Sequence, residues 1–193
     1  MAMIRKKPRT SATRFQSTIS SKDLTKKKPE KRLVRPLKKS GGRNVYGRIT
    51  VRHRGGGAAR KYRIIDFGRT ERDVPGKVVA IEYDPNRNVN IALISYASGA
   101  KSYILHPEGL AIGDSIIASA TTEAKIGNAL PLKNIPVGFM VHNVEIRPQS
   151  RGTFVRSAGR SAQIMGKADE RITLKMPSGE IRMVPENSWA TVG

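Results

Sequence analysis

Apolar residues in this chain recur in short, β-branched runs punctuated by turn residues every few positions. Tyr62-Arg-Ile-Ile-Asp-Phe67 predicts a strand. Lys77-Val-Val-Ala-Ile-Glu-Tyr83 predicts a second, closed by the turn sequence Asp84-Pro85-Asn86. A third spans Asn88 to Ala97, and Ser98-Gly99 turns it tightly into a fourth, Lys101-Ser-Tyr-Ile-Leu-His106. Asp114-Ser-Ile-Ile-Ala118 makes a fifth. Five short strands joined by tight turns predict a small barrel of the oligonucleotide-binding type over residues 61–124. Gly127, Pro131, Pro136 and Gly138 mark residues 125–138 as a linker and the entry to a second unit, with at most one helical turn near Leu130. Phe139 to Ile146, Gln163 to Met165, Arg171 to Met176, Ile181 to Val184 and Trp189 to Val192 then predict a second barrel within residues 125–193. That unit is small enough to need bracing by a partner. No helical period of useful length occurs anywhere, so the fold class is all-β, two small barrels.

The pattern fails before residue 61. Residues 1–60 are poor in apolar positions, carry the blocks Arg5-Lys6-Lys7, Lys26-Lys27-Lys28 and Lys38-Lys39, and are broken by Pro8, Pro29 and Pro36. The expectation is a long extended arm that takes a stable shape only along a partner. Within it, Ser40 to Gly57 reads Ser-Gly-Gly-Arg-Asn-Val-Tyr-Gly-Arg-Ile-Thr-Val-Arg-His-Arg-Gly-Gly-Gly. Alternation from Arg48 to Arg54 has the period of an extended strand. Arg48, Thr50, Arg52 and Arg54 would then point one way, spaced by about 7 Å, and Ile49, Val51 and His53 the other. Such a row of guanidinium forks suits successive phosphates. A solvated edge strand is the bland alternative, and four arginines without a counter-charge weigh against it.

Charge sharpens the division. The 193 residues hold 36 Lys and Arg against 15 Asp and Glu, a net charge of +21. Residues 1–63 contribute 21 basic and 2 acidic side chains, whereas residues 64–193 contribute 15 and 13. A nearly neutral globular part is thus preceded by a cationic one that only a polyanion neutralises. No apolar run approaches the ~20 residues that span a bilayer, and the arm lacks the apolar face of an interfacial anchor, so no membrane partner is expected. Met1 to Phe15 superficially matches a transit peptide, but basic character continues unbroken to Lys61. Cysteine is absent, which removes disulfides, thiolate zinc sites and a thiol nucleophile.

Chemistry of other kinds finds no foothold. His53, His106 and His142 are the only histidines, and none stands at metal-ligand spacing. Neither a phosphate-cradling Gly-x-x-x-x-Gly-Lys run nor a Gly-x-Ser-x-Gly elbow is present. The expectation is no catalytic residue, no metal and no cofactor. Candidate nucleic-acid contacts are Lys38, Lys39, Arg43, Asn44, Tyr46, Arg48, Arg52, His53, Arg54, Arg60 and Lys61, with His53 hydrogen-bonding or stacking and Tyr46 stacking on exposed bases. Tyr62 divides evenly between stacking and core packing. His106, His142 and Trp189 read as structural. Arg147, Arg151, Arg156 and Arg160 fall on two neighbouring loops of the second barrel and form a second candidate patch, against scattered surface charge as the alternative.

Twelve short motifs in order, among them Ser40-Gly-Gly-Arg-Asn44, Gly47-Arg-Ile-Thr50, His53-Arg-Gly-Gly-Gly57, Glu82-Tyr-Asp-Pro-Asn-Arg87, Asn134-Ile-Pro-Val-Gly138 and Val141-His-Asn-Val-Glu145, cover essentially the whole chain. Through them it resembles the family of ribosomal protein L2, the universal second protein of the large ribosomal subunit. The resemblance implies an oligonucleotide-binding-fold barrel followed by an SH3-like barrel, with basic extensions reaching into RNA. It also implies primary binding of large-subunit ribosomal RNA, other ribosomal proteins as partners, and contact with small-subunit RNA at the subunit interface. Family members are associated with subunit joining, tRNA binding and support of the peptidyl-transferase centre. The wording is closest to the bacterial, cytoplasmic form, and an organelle-encoded copy would look much the same. Family members normally continue past the position of Gly193 into a glycine- and histidine-rich tail, whose proposed catalytic histidine has no counterpart here. A peptidyl transferase in its own right and a DNA-compacting protein are the alternative classes. The first lacks an activated nucleophile–base pair, and the second would not need the ordered motifs.

Overall fold

The computed structural model describes residues 3–22 and 24–193, so Met1, Ala2 and Asp23 of the expected arm lie outside the described residues. Among the described residues there is no α-helix, only strands and two single-turn 3-10 segments, Lys31–Leu33 and Leu132–Asn134. The chain opens with β1 (Met3–Arg5) paired antiparallel to β2 (Ser17–Ile19), a hairpin whose first strand is exposed throughout.

The first barrel starts earlier than expected. β3 (Val34–Pro36) pairs with β4 (Lys61–Arg63), and Leu33 packs on the barrel core. Thr25 also exchanges hydrogen bonds with Ile81, its N–H to the Ile81 carbonyl at 2.8 Å and its Oγ1 accepting from the Ile81 N–H at 3.2 Å. Part of the expected arm is therefore barrel, because its apolar residues find a core to enter. The remaining strands are β5 (Gly76–Glu82), β6 (Ile91–Tyr96), β7 (Lys101–Leu105) and β8 (Ser115–Ile116), in the order β7-β6-β5-β8. A parallel bridge from Ile65 to Tyr103 joins the chain beyond β4 to β7.

Both faces of this sheet are covered, which explains the near-continuous apolar run of β6. Ile91 and Leu93 face one cluster with Ile65, Ala80, Tyr103 and Leu105; Ala92, Ile94 and Tyr96 face another with Val78, Ile104 and Ile116. A bulge between Val78 and Ala80 lets adjacent stretches of β5 serve opposite clusters.

The second barrel is one six-stranded sheet. Its strands are β9 (Ala129–Pro131), β10 (Met140–His142), β11 (Ala162–Ala168), β12 (Arg171–Lys175), β13 (Ile181–Pro185) and β14 (Trp189–Val192), ordered β13-β12-β11-β10-β14-β9. Residues 125–138 are not a linker. β9 pairs with β14, and Leu130, Leu132 and Ile135 are fully buried beside Val141, Val144, Ile164, Ile172 and Leu174. The prolines there sit at strand ends and a 3-10 turn, where no ladder hydrogen bond is lost. The architecture is all-β, with sheets matching an oligonucleotide-binding barrel and an SH3-like barrel.

A polar seam holds the barrels together. The Phe67 carbonyl accepts two hydrogen bonds from the second barrel, from Asn143 Nδ2 at 3.0 Å and Gly152 N–H at 3.1 Å, using both lone pairs. Arg69, buried, donates to the Gly127 carbonyl. The Arg72 guanidinium covers the Trp189 ring at 4.4 Å, making that indole a cap on the second barrel.

Candidate nucleic-acid interface

The stretch from Ser40 to Gly57 folds back on itself instead of running as a strand. Arg43 bridges Ile49 antiparallel across a turn built on Asn44, whose Oδ1 accepts from the N–H groups of Tyr46 and Arg48, both at 3.0 Å. Asn44 N–H donates to Arg48 O at 2.9 Å and Gly47 N–H to Asn44 O at 3.0 Å. Gly47 sits at φ +77°, which a side chain would strain. Behind the turn the Gly42 carbonyl accepts from Thr50 N–H, Thr50 Oγ1 and Val51 N–H at 2.9, 3.2 and 3.1 Å, closing the base. His53, at φ +59°, then reverses the chain again.

The expected single row of Arg48, Arg52 and Arg54 is thereby corrected. Local hydrogen bonds of Asn44 and Gly42 outweigh strand alternation where no second strand offers a ladder. The cations are instead spread around a compact knuckle. Lys38, Lys39, Arg43, Arg48, Arg52, His53, Arg54, Arg60 and Lys61 are all exposed. Lys39 Nζ ties the knuckle's base to the Ala58 carbonyl at 2.9 Å, and Arg43 Nη1 donates to Gly41 O at 2.5 Å. Residues 31–65 contain twelve Lys and Arg and no acid. The nearest upstream carboxylate, Glu30, is paired with Lys101 at 3.0 Å, and that hydrogen bond and charge lower its pKa.

Two further cations are committed inward. Asp84, buried, meets Arg63 at 3.4 Å and Arg87 at 3.1 Å. Arg87 lies over the rings of Tyr62 and Phe67 and donates to the Tyr62 hydroxyl at 3.2 Å, so Tyr62 is half-buried packing. Arg60 donates to Pro85 O at 2.8 Å, which joins the knuckle's trailing end to the same turn.

The second patch is partly redrawn. Arg147, Arg151 and Arg160 are exposed, the first two on a loop pinned by Ser150 Oγ donating to Arg147 O at 2.7 Å. Arg156 is not on the open surface with them. Its guanidinium lies 3.6 Å from the centre of the Phe67 ring and donates to Gly152 O, and burial lowers its pKa. Its place in the seam rests on a long-range contact that spacing along the chain does not encode.

The anchor of the preceding segment escapes sequence reasoning too. Tyr103 OH donates to Glu82 Oε2 and accepts from Glu30 N–H, both at 2.9 Å, so a buried tyrosine fixes residue 30 to the barrel. Burial raises the pKa of Glu82 and pushes that of Tyr103 to about 12. His142, on β10, is buried at the seam between the barrels beside Arg69 and His106, with Nδ1 2.7 Å from Gly193 O, and burial drives its pKa down to about 4. His106 Nε2 is 3.0 Å from Leu110 O. Among the described residues no group of three or more His, Cys, Asp or Glu is placed to hold a metal ion, and no helix is long and apolar enough to cross a membrane.

A barrel of oligonucleotide-binding type, carrying an acid-free knuckle of arginines and backed by an SH3-like barrel, defines an RNA-binding β-protein. Two family models match in succession: Ribosomal Proteins L2, RNA binding N-terminal domain, over residues 30–118, and Ribosomal Proteins L2, C-terminal domain, over residues 125–193. The chain belongs to the ribosomal protein L2 family.

Proposed function

We propose that the chain is a structural constituent of the large ribosomal subunit that binds the subunit's RNA without catalysing a reaction. The observation that carries this reading is the knuckle: every cation on it is exposed, and no carboxylate lies between residues 31 and 65. Lys38, Lys39, Arg43, Arg48, Arg52, Arg54, Arg60 and Lys61 neutralise phosphates, Asn44 shapes the turn, and Tyr46 and His53 lie against RNA. Arg147, Arg151 and Arg160 make a second contact, with Arg156 holding the loop of the first two in place from the seam. The parts of the segment before residue 61 that lie outside the first barrel clasp RNA, while the two barrels, the units expected at 61–124 and 125–193, dock together through the seam. Family membership supports a place in the ribosome of a bacterium or an organelle, beside other ribosomal proteins, without a membrane partner. It also supports contact with small-subunit RNA and roles in subunit association, tRNA binding and the architecture of the peptidyl-transferase centre.

The test is a salt titration of the full chain against a large-subunit ribosomal RNA transcript. With six to ten phosphate contacts, affinity falls by ~10³–10⁵ between 50 and 200 mM salt on the duplex scale, and less on single strands. Duplex DNA should compete poorly. Affinity indifferent to salt would overturn the phosphate reading, and equal competition by duplex DNA would favour a DNA-compacting protein.

A further inference from the structure

The knuckle displays more than charge. At its tip Val45 is 100% and Tyr46 88% exposed, two large apolar side chains side by side. The turn beneath them is fixed by the four hydrogen bonds converging on Asn44 and by the Arg43–Ile49 bridge. Among the described residues nothing hydrogen-bonds the Tyr46 hydroxyl. A rigid turn that holds an aromatic ring and a branched side chain in water is organised for a partner, since binding then costs little further ordering.

We infer that Val45 and Tyr46 form a wedge that receives an unpaired, unstacked nucleotide of the RNA, with Tyr46 stacking on its base and Val45 filling the space beside it. This rests on the reading that the knuckle faces RNA. The surrounding charge selects the class of partner: Arg43 and Arg48 flank the tip, and no acidic side chain lies within the same stretch, so a polyanion is favoured over a protein surface. The ring selects the form. Bases within a duplex keep their faces against one another, and the A-form major groove is too deep and narrow for side chains to read. Only a bulged, looped or single-stranded nucleotide offers a free π-face to a projecting tyrosine. Phosphate contacts then hold the knuckle in register while the tip supplies the one contact that depends on RNA secondary structure.

The experiment measures binding of the full chain to the large-subunit ribosomal RNA transcript across a salt series, for wild type, Tyr46→Ala, Tyr46→Phe and Arg48→Ala. Stacking is salt-indifferent, so Tyr46→Ala is expected to bind about 5- to 150-fold more weakly at every salt concentration with the slope unchanged. Tyr46→Phe retains wild-type affinity. Arg48→Ala reduces the slope by about 0.7–0.9. Chemical probing of ribose flexibility should show an unpaired nucleotide whose reactivity changes with wild type and Tyr46→Phe but not with Tyr46→Ala. Wild-type affinity in Tyr46→Ala, a loss shared equally by Tyr46→Phe, or a loss accompanied by a reduced slope would each overturn the wedge. None of these would touch the phosphate reading, which fails only if the wild type is indifferent to salt.

Discussion

His142 shows how a single buried group sets a pH dependence for the whole fold. Its imidazole is held neutral chiefly by burial, with Arg69 and His106 adding to the effect and the bond to Gly193 O opposing it. The folded pKa, about 4, lies below the ordinary histidine value of 6.5. Between those values the unfolded chain binds the extra proton, so the stability His142 contributes is complete above about pH 6.5 and is lost as pH falls toward 4. The full difference is worth about 3 kcal/mol. Glu82 runs the other way, because its raised pKa favours folding at low pH and withdraws that favour as pH rises. Denaturant unfolding of wild type and His142→Gln from pH 7.5 to 4.5 separates the two. The difference between the curves should shrink as pH falls, whereas a constant difference would show that His142 does not titrate with unfolding.

At the scale of elements, the knuckle separates binding from folding. Arg48, Arg52 and Arg54 are exposed and contribute no side chain to either core. Replacing all three by Ala should therefore lower the salt slope of RNA binding by about 2–3 and leave the melting temperature unchanged. Unfolding of the triple variant would instead assign them a structural role. The pattern of residues makes the strands of both barrels legible: a period of two, turn residues such as Asp84-Pro85 and Ser98-Gly99, and alternating burial point the same way. Of the features that are not legible, three show the physical reason. β9 is hidden because Pro131 and Pro136, with Gly127 and Gly138, resemble a linker until β14, far along the chain, supplies its partner. The knuckle is disguised because Asn44 and Gly42 draw backbone hydrogen bonds into a shape that apolar periodicity does not report. Arg156 reads as one of four arginines of a second RNA-contact patch because nothing local announces its contact with the Phe67 ring.

At the scale of the molecule, the seam makes one body of two barrels. Phe67 lies at its centre: its carbonyl takes two donors from the second barrel, and its ring carries Arg156 from the second barrel and Arg87 from the first. Calorimetry of the free protein should accordingly show a single unfolding transition. Phe67→Ala removes the shared ring from a half-buried position and should lower that transition by roughly 2–4 kcal/mol of stability, somewhat under the cost of a fully buried phenylalanine. Two well-separated transitions in the wild type would show that the barrels melt independently.

The order of strands in the second sheet also dictates a timetable. β14 lies between β10 and β9, so neither neighbour completes its pairing until residue 192 has been made. During synthesis the arginine-bearing knuckle leaves the exit tunnel long before that, while the apolar faces of β9 and β10 stand open. If the knuckle binds RNA as proposed, a nascent copy meets its RNA before its second sheet is closed.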